Sequence, residues 1–178
     1  MTANKDKKIR AIDLFCGVGG SSWGALKAGA EIIAGFDKWN LAGKVYKDNF
    51  PNAKFHGEDL NLIDPLDYKQ EIGAVNLILA SPECTNHSPA KGAVERCEKS
   101  RETAFYVTRF AEAFLPQWII IENVVSMRRW KRYQEFLGTL RELGYHCREQ
   151  VLDASDFNVP QGRRRLFIMC DRDASPPE

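Results

Sequence analysis

The sequence predicts a doubly wound α/β fold built on a mostly parallel sheet. Short runs rich in Ile and Val alternate along the 178 residues with longer stretches of helical spacing, which is the pattern of parallel strands joined by helices. One run, Val75 to Ala80, is almost entirely apolar, as expected of a strand that is buried on both faces. The last two runs have no helix between them, so we expect an antiparallel hairpin at one end of the sheet.

The first half of the chain predicts three strands and two helices. Apolar β-branched runs indicate the strands, and amphipathic spacing indicates the helices. Pro51 closes the second helix, because proline cannot continue a helix. The strands are Ile9 to Phe15, Glu31 to Asp37 and Lys54 to His56, and the helices are Ser21 to Ala28 and Leu41 to Phe50.

The second half predicts two longer helices and four strands. The first helix stops before Pro116, and the second is followed by Gly144, a residue type common just past a helix end. The helices are Arg101 to Leu115 and Trp130 to Leu143; the strands are Val75 to Ala80, Trp118 to Val124, Cys147 to Asp153 and Leu166 to Cys170. We expect residues 1–178 to form one domain, with residues 1–8 and 172–178 as tails.

Composition excludes several classes of protein. Lys and Arg total 25 and Asp and Glu total 24, a formal net charge of +1, so any nucleic acid must be bound by local basic clusters rather than by a basic molecule. The apolar runs are too short to cross a membrane, and we expect a cytoplasmic protein. The five cysteines are odd in number and contain no Cys-x-x-Cys pair, which disfavours a disulfide framework or a metal site.

The first two strands end in residues suited to an adenosine-type ligand. In such sheets ligands bind outside the carboxyl ends of the strands. A glycine-rich turn, Asp13 to Gly20, follows the first strand, and Asp37 follows the second, placed to bind ribose hydroxyls. The turn alone is weak support, since a tight strand-to-helix connection looks the same and its spacing differs from the dinucleotide fingerprint.

Two later strands end in chemically reactive residues. Cys84 lies in a polar, proline-bounded loop after Val75 to Ala80, which favours a reactive thiol over the buried thiol that most cysteines are. The other four cysteines are interpreted as structural. Glu122 closes an apolar strand, where a carboxylate costs free energy unless it is paired or used; a structural ion pair remains an alternative.

Two basic clusters could contact phosphates. In the last loop, Arg163 and Arg165 alternate at the start of a strand and should point the same way. The second cluster, Arg128 to Arg132, follows the Glu122 strand. A run of charge is also compatible with an ordinary solvated surface.

Together these motifs resemble the cytosine-C5 DNA methyltransferases. The resemblance runs in order from Ile9 to Cys170, and its strongest part is the ordered set of the glycine-rich turn, Cys84, Glu122-Asn123-Val124 and Gln161-Gly162-Arg163-Arg164-Arg165. It implies S-adenosylmethionine as cofactor and duplex DNA with a flipped-out cytosine as substrate. It also implies three groups of site residues. The catalytic group is Cys84, Glu122, Arg163 and Arg165; the cofactor group is Asp13, Phe15, Cys16, Gly17, Gly19, Gly20, Asp37, Lys38, Asp59, Leu60 and Ser81; the substrate and DNA group is Pro82, Ser88, Asn123, Val124, Gln161, Arg128 and Arg129.

The implied chemistry explains these residue types. Cytosine C5 is a poor nucleophile until a thiolate adds at C6, so Cys84 would act by covalent catalysis. Glu122 would hydrogen-bond N3 and the exocyclic amine as charge develops on the base. Arg163 or Arg165 would bind O2, and the resemblance favours Arg165.

This sequence departs from the family at two positions and in length. The family usually has Pro directly before the cysteine and an aromatic residue three places after it, where this chain has Glu83 and His87. We expect the Glu83 carboxylate to point away from Cys84 or to be paired, because a carboxylate facing a thiol raises its pKa. His87 is interpreted as a structural replacement, with a proton carrier as the alternative.

The family's target-recognition domain and returning C-terminal segment are not found before Glu178. We expect either a fragment or one half of a split enzyme that is completed by a second polypeptide. Two alternatives stay open: a tRNA cytosine-5 methyltransferase and a non-catalytic DNA-binding or assembly subunit.

Overall fold

A seven-stranded sheet forms the centre of the protein. The computed structural model describes residues 8–83 and 101–177. Its strands are β1 (Arg10–Leu14), β2 (Glu31–Phe36), β3 (Lys54–His56), β4 (Leu77–Ala80), β5 (Trp118–Asn123), β6 (His146–Asp153) and β7 (Arg164–Asp171). The helices of the described ranges are α1 (Gly20–Lys27), α2 (Asn40–Asn49), α3 (Lys69–Ile72), α4 (Ala104–Phe114) and α5 (Tyr133–Glu142), and short 3-10 helices span Pro65–Tyr68, Val125–Arg129 and Ala154–Phe157.

The strand order is β3-β2-β1-β4-β5-β7-β6. Strands β1 to β5 pair in parallel, whereas β7 is antiparallel to both β5 and β6. The predicted doubly wound sheet with a terminal antiparallel hairpin is therefore confirmed. The order reverses between β1 and β4, and the crevice at such a reversal is where ligands bind in this class of sheet.

The two faces of the sheet are covered differently. One face packs on α4 and α5 through a large apolar cluster that includes Ile78, Ile121, Phe110 and Phe136. The other face packs on α1 and α2 through a smaller cluster around Tyr46. Alternation along each strand divides its side chains between these clusters, so β1 directs Ile12 and Leu14 to the first and Ala11 to the second.

Most predicted element boundaries differ from the structure by one to three residues, and three of them show how. The helix predicted from Trp130 begins at Tyr133, because Trp130 has extended backbone and ends a preceding 3-10 helix. The strand predicted from Val75 begins at Leu77. The helix predicted to include Leu115 ends at Phe114, because Leu115 adopts a left-handed conformation with φ 47°. Within the described ranges, no helix is long and apolar enough to cross a membrane.

Candidate active site

The glycine-rich turn donates a backbone hydrogen bond to the carboxylate of Asp37. The backbone N–H of Gly17 donates to Asp37 Oδ2 at 2.8 Å, and the N–H of Trp39 donates to Asp37 Oδ1 at 2.8 Å. Gly19 has φ 96°, and a Cβ at this position would overlap the ring of Phe50. The turn therefore needs glycine at this position and holds the Asp37 carboxylate in a fixed place beside β1.

Asp13 lies beneath the turn rather than in contact with open space. It is fully buried, and its Oδ2 accepts hydrogen bonds from Ser22 N at 3.1 Å and Ser22 Oγ at 2.6 Å. Ser22 Oγ is also 3.0 Å from the Tyr46 hydroxyl. Burial raises the pKa of Asp13 to about 6, although the hydrogen bonds from Ser22 act in the opposite direction. Asp13, predicted as a cofactor residue, thus stabilises the first turn of α1 through its hydrogen bonds with Ser22.

A small hollow of about 180 Å³, here called the Asp37 hollow, opens beside this turn. Its walls come from the ends of β1, β2 and β4 and from α4, and they carry several carboxylates and few cations. It is lined by Phe15, Asp37, Lys38, Glu58, Asp59, Leu60, Ser81, Glu83, Thr103 and Tyr106. Six of the predicted cofactor residues therefore meet here. Tyr106, which the sequence did not single out, donates from its hydroxyl to Asn61 Oδ1 at 3.0 Å.

A larger groove of about 750 Å³, here called the α1 groove, runs along the other side of the turn. It shares Phe15 and Ser81 with the Asp37 hollow and extends between α1 and the apolar side chains of β4 and β5 to Glu122 and Arg163. Ser21 Oγ and Ser81 Oγ lie 3.3 Å apart where the two spaces meet. Cys16 and Gly20 line this groove as well, and burial raises the pKa of the Cys16 thiol well above its usual value.

Glu122 and Arg165 form an ion pair at the far end of the α1 groove. Arg165 Nε lies 2.9 Å from Glu122 Oε1, and their side chains are 22% and 26% exposed respectively. Arg163 and Arg165 line one further hollow of about 340 Å³ together with Glu122, here called the Glu122 hollow. Both arginines therefore border the same hollow, as expected of side chains that point the same way. The structural alternative for Glu122, pairing with an arginine, is also realised, and its partner is the predicted catalytic Arg165.

Asn123 connects the end of β5 with the end of β4. It is 1% exposed, its Nδ2 donates to the Pro82 carbonyl at 3.0 Å, and its Oδ1 accepts from Val124 N at 2.8 Å. Asn123, Pro82 and Val124 were predicted as substrate residues; here Asn123 and the buried Pro82 position the chain that leads to Cys84. Cys84, Ser88 and His87 lie outside the described residues.

Asp153 holds the loop that carries the arginines. Its Oδ1 accepts from Ser155 N, Ser155 Oγ and Arg163 N at 3.1, 2.9 and 3.0 Å. These hydrogen bonds lower the pKa of Asp153, the one from Ser155 N most strongly. Sequence reasoning missed this residue, although Asp-x-Ser is a frequent turn signal. Gln161 is exposed, and its N–H donates to the Val159 carbonyl at 2.7 Å.

The second basic cluster is partly neutralised. Arg128 Nε pairs with Glu149 Oε2 at 2.7 Å, and Arg132 pairs with Glu102 and Glu135, each at 2.6 Å. Arg129 and Lys131 are exposed, and neither has an ion pair within the parts of the chain that the structure describes. That Arg128 and Arg129 contact DNA stays a prediction, and the two differ in that the charge of Arg128 is already met by Glu149. In the described residues, no group of three or more His, Cys, Asp and Glu side chains is arranged to hold a metal.

Comparison with known proteins identifies the family. The model of the C-5 cytosine-specific DNA methylase family matches residues 9–177. The chain belongs to this family. Among curated relatives, the type II methyltransferase M.HgiDI of Herpetosiphon aurantiacus is 35% identical over 94% of the chain, and M.AgeI of Thalassovita gelatinovora is 31% identical over 96%. The matched regions cover 53% and 42% of those two proteins, so the chain spans about half the length of the relatives it matches.

Solved structures agree on the fold. The Dnmt2 methyltransferase of S. pombe superimposes with a TM-score of 0.78 over 97% of the chain and 52% of its own length, at 23% identity. The methyltransferase EhMeth of Entamoeba histolytica gives 0.74 over 97% and 56%, at 22% identity. At this identity the likeness shows the shared fold, which is the α/β sheet described above.

Proposed function

We propose that residues 1–178 are the catalytic lobe of a DNA cytosine-5 methyltransferase that uses S-adenosylmethionine. One observation carries this proposal. The Asp37 hollow, the α1 groove and the Glu122 hollow lie side by side, since the first two share Phe15 and Ser81 in their walls and the last two share Glu122 and Arg163. An elongated cofactor and a target base would lie end to end along these three spaces. Family membership supports the same reaction.

The Asp37 hollow suits the adenosine part of the cofactor. The Asp37 carboxylate is fixed by two backbone N–H groups and can accept hydrogen bonds from ribose hydroxyls, as acids in this position do. Asp59 can accept a hydrogen bond from an exocyclic amine, and Phe15 and Leu60 offer apolar surface for a planar base. When bound, S-adenosylmethionine supplies an electrophilic methyl group at its sulfonium.

The opposite end of these three spaces suits the target base. Glu122 is held by Arg165, and its carboxylate could accept a hydrogen bond from the exocyclic amine of cytosine, while the positive Arg165 can stabilise negative charge that develops on the ring. The chain that leads to Cys84 starts at Pro82, whose carbonyl is bonded to Asn123 beside Glu122. The Cys84 thiolate would form a bond to C6 of the flipped cytosine, which makes C5 nucleophilic enough to take the methyl group of the cofactor. A base would then remove the C5 proton, and the bond between Cys84 and C6 would break to release the methylated base and the thiolate.

The catalytic lobe would need a further segment for full activity. The α1 groove, about 750 Å³ in volume, opens over apolar side chains of β4 and β5, including the buried Leu77 and Leu79 and the partly buried Ile120, whereas sheets with parallel strands are normally packed closely on both faces. The curated relatives are about twice as long as the matched region. We therefore propose that a segment beyond this lobe, on the same chain or on a second polypeptide, covers the groove and supplies sequence recognition. Arg129 and Lys131 would contribute phosphate contacts beside it.

Transfer of tritiated methyl groups from S-adenosylmethionine to duplex DNA tests the proposal. Residues 1–178 together with the proposed further segment, here called the full-length protein, should label cytosine C5. Residues 1–178 alone should show weak and unselective labelling, and Glu122→Gln in the full-length protein should lower the rate by about 100-fold or more. Full sequence-specific activity of residues 1–178 alone would contradict the need for a further segment. Preferential labelling of tRNA in direct competition with DNA would replace the DNA substrate by RNA, and absence of any transfer would favour a binding subunit.

A further inference from the structure

Lys38 and Glu83 meet at the edge of the Asp37 hollow. Lys38 Nζ lies 2.9 Å from Glu83 Oε1, and both side chains line the hollow. Lys38 belongs to the connection between β2 and α2, whereas Glu83 follows the end of β4 and is joined directly to Cys84. The pair therefore ties two walls of the hollow together, and one of these walls leads into the predicted nucleophile.

Both ends of the pair are attached to rigid parts of the fold. Lys38 follows Asp37, whose carboxylate is held by Gly17 N and Trp39 N. On the other side, Glu83 N donates to Thr103 Oγ1 at 3.2 Å, and Thr103 is buried at the start of α4. An ion pair that joins two such fixed supports can hold the spacing between them.

The pair contributes little to the stability of the fold. The side chains of Lys38 and Glu83 are 60% and 35% exposed, and exposed ion pairs are weak because water screens them. The hydrogen bond to Glu83 nevertheless raises the pKa of Lys38, so the Lys38 ammonium stays charged at neutral pH. Lys54 and Glu71 form an ion pair of similar length and exposure, 2.8 Å and 59% and 42%, but they do not line the hollow. They provide a matched comparison.

We propose that Lys38 and Glu83 form a clasp, two positioning residues that hold the Asp37 hollow at the width that binds the adenosine part of the cofactor. The inference rests on the proposed function, since it assigns this hollow to the cofactor. It adds a role that the sequence motifs do not contain, because Glu83, the residue directly before Cys84, is held in place by its ion pair with Lys38 at the edge of the cofactor pocket. Occupation of the hollow and the position of the chain leading to Cys84 are thereby connected.

A purely electrostatic role makes a different prediction. The hollow is lined by Asp37, Glu58, Asp59 and Glu83 together with Lys38. If only the local charge mattered, Lys38→Met would make the hollow more negative and Glu83→Gln less negative, and the two variants would shift the affinity for a given ligand in opposite directions. A clasp is broken by either change, so both variants should weaken binding.

The test is the affinity of the full-length protein for S-adenosylhomocysteine, measured by isothermal titration calorimetry. Lys38→Met and Glu83→Gln should each raise the Kd by about two- to fivefold, the range expected from one exposed ion pair. The double variant should be no weaker than the weaker single variant, and the exchanged pair Lys38→Glu with Glu83→Lys should recover part of the affinity. The control Lys54→Met should bind like the wild type, and all variants should keep the wild-type melting temperature.

The outcomes separate the clasp from the proposed function. Three results would overturn the clasp and leave the cofactor assignment intact, provided that the wild type binds S-adenosylhomocysteine. These are an unchanged Kd in both single variants, Kd values that shift in opposite directions in the two variants, and losses of affinity that add up in the double variant. A wild-type protein that does not bind S-adenosylhomocysteine would overturn the cofactor assignment, and the clasp with it. In a methyl-transfer assay, a clasp predicts that the KM for S-adenosylmethionine rises by a larger factor than kcat falls in both single variants.

Discussion

Replacement of Asp13 by Asn should change how the stability of the protein depends on pH. Asp13 is fully buried beneath the glycine-rich turn, where its Oδ2 accepts two hydrogen bonds from Ser22 and its Oδ1 has no partner among the described residues. Burial raises its pKa from 3.8 to about 6. Asparagine has a similar shape and keeps an oxygen that can accept from Ser22, but it does not ionise.

The size of the effect follows from the shift in pKa. Because the folded pKa of Asp13 is raised, its contribution to stability is fully present below about pH 3.8 and is lost as the pH rises through about 6. A shift from 3.8 to about 6 corresponds to a loss of about 3 kcal/mol at 1.36 kcal/mol per unit. About half of this loss should fall between about pH 5 and about pH 7.5. The neutral amide introduced by Asp13→Asn does not undergo this loss.

Urea unfolding of the wild type and of Asp13→Asn across this pH range measures the effect. The free energy of unfolding of the variant, relative to wild type, should grow as the pH rises. Asp153→Asn is a control whose difference from wild type should stay constant across this range, because hydrogen bonds from Ser155 and Arg163 lower the pKa of Asp153 and its contribution is lost only as the pH falls below the usual value of 3.8. A difference between Asp13→Asn and wild type that stays constant with pH, or shrinks as the pH rises, would refute the reasoning.

Three further predictions concern packing, the chain beside the site and thiol chemistry. Gly35→Ala should lower the free energy of unfolding by about 1–3 kcal/mol, because the added methyl would overlap the buried ring of Tyr46; Gly138→Ala, where a methyl meets no neighbour, is the control, and equal urea midpoints for the two variants would be the contrary result. Asn123→Ala should lower the free energy of unfolding by about 1–3 kcal/mol and also slow methyl transfer, because the Pro82 carbonyl and the Val124 N–H lose their hydrogen-bond partner; a variant with wild-type stability and turnover would show that these hydrogen bonds are dispensable. Cys147 should be alkylated by iodoacetamide before Cys170, the buried thiol that faces it on β7, since the hydrogen bond from Cys170 lowers the pKa of Cys147; peptide mapping that finds the reverse order would count against this assignment.

The sheet could be predicted from the sequence because its strands are short, apolar and separated by helical spacing. Alternation predicted that Arg163 and Arg165 lie on the same side, and both line the Glu122 hollow although β7 begins only at Arg164. The helix start at Trp130 could not be predicted in the same way. Its apolar side chain fits the helical pattern, but the preceding 3-10 helix, Val125–Arg129, leaves Trp130 in extended backbone.

The parts of the site that depend on contacts between distant residues were not accessible from sequence. The expectation that Glu83 is paired or points away was confirmed, yet its partner Lys38 lies 45 residues earlier and no local pattern connects them. The pairing of Arg128 with Glu149, 21 residues apart, changed the interpretation of the second basic cluster for the same reason. Ion pairs of this kind are decided by how the elements pack, whereas strand and turn signals are local.

Covalent trapping on duplex DNA in which every cytosine is replaced by 5-fluorocytosine tests the central claim most directly, because fluorine at C5 blocks the release of the thiol. The full-length protein with S-adenosylmethionine should form a denaturation-resistant complex, and mass spectrometry should map the linked nucleotide to Cys84. Cys84→Ser should form no such complex. A full-length protein that methylates ordinary cytosine but is not trapped, or is trapped through a different residue, would contradict the account.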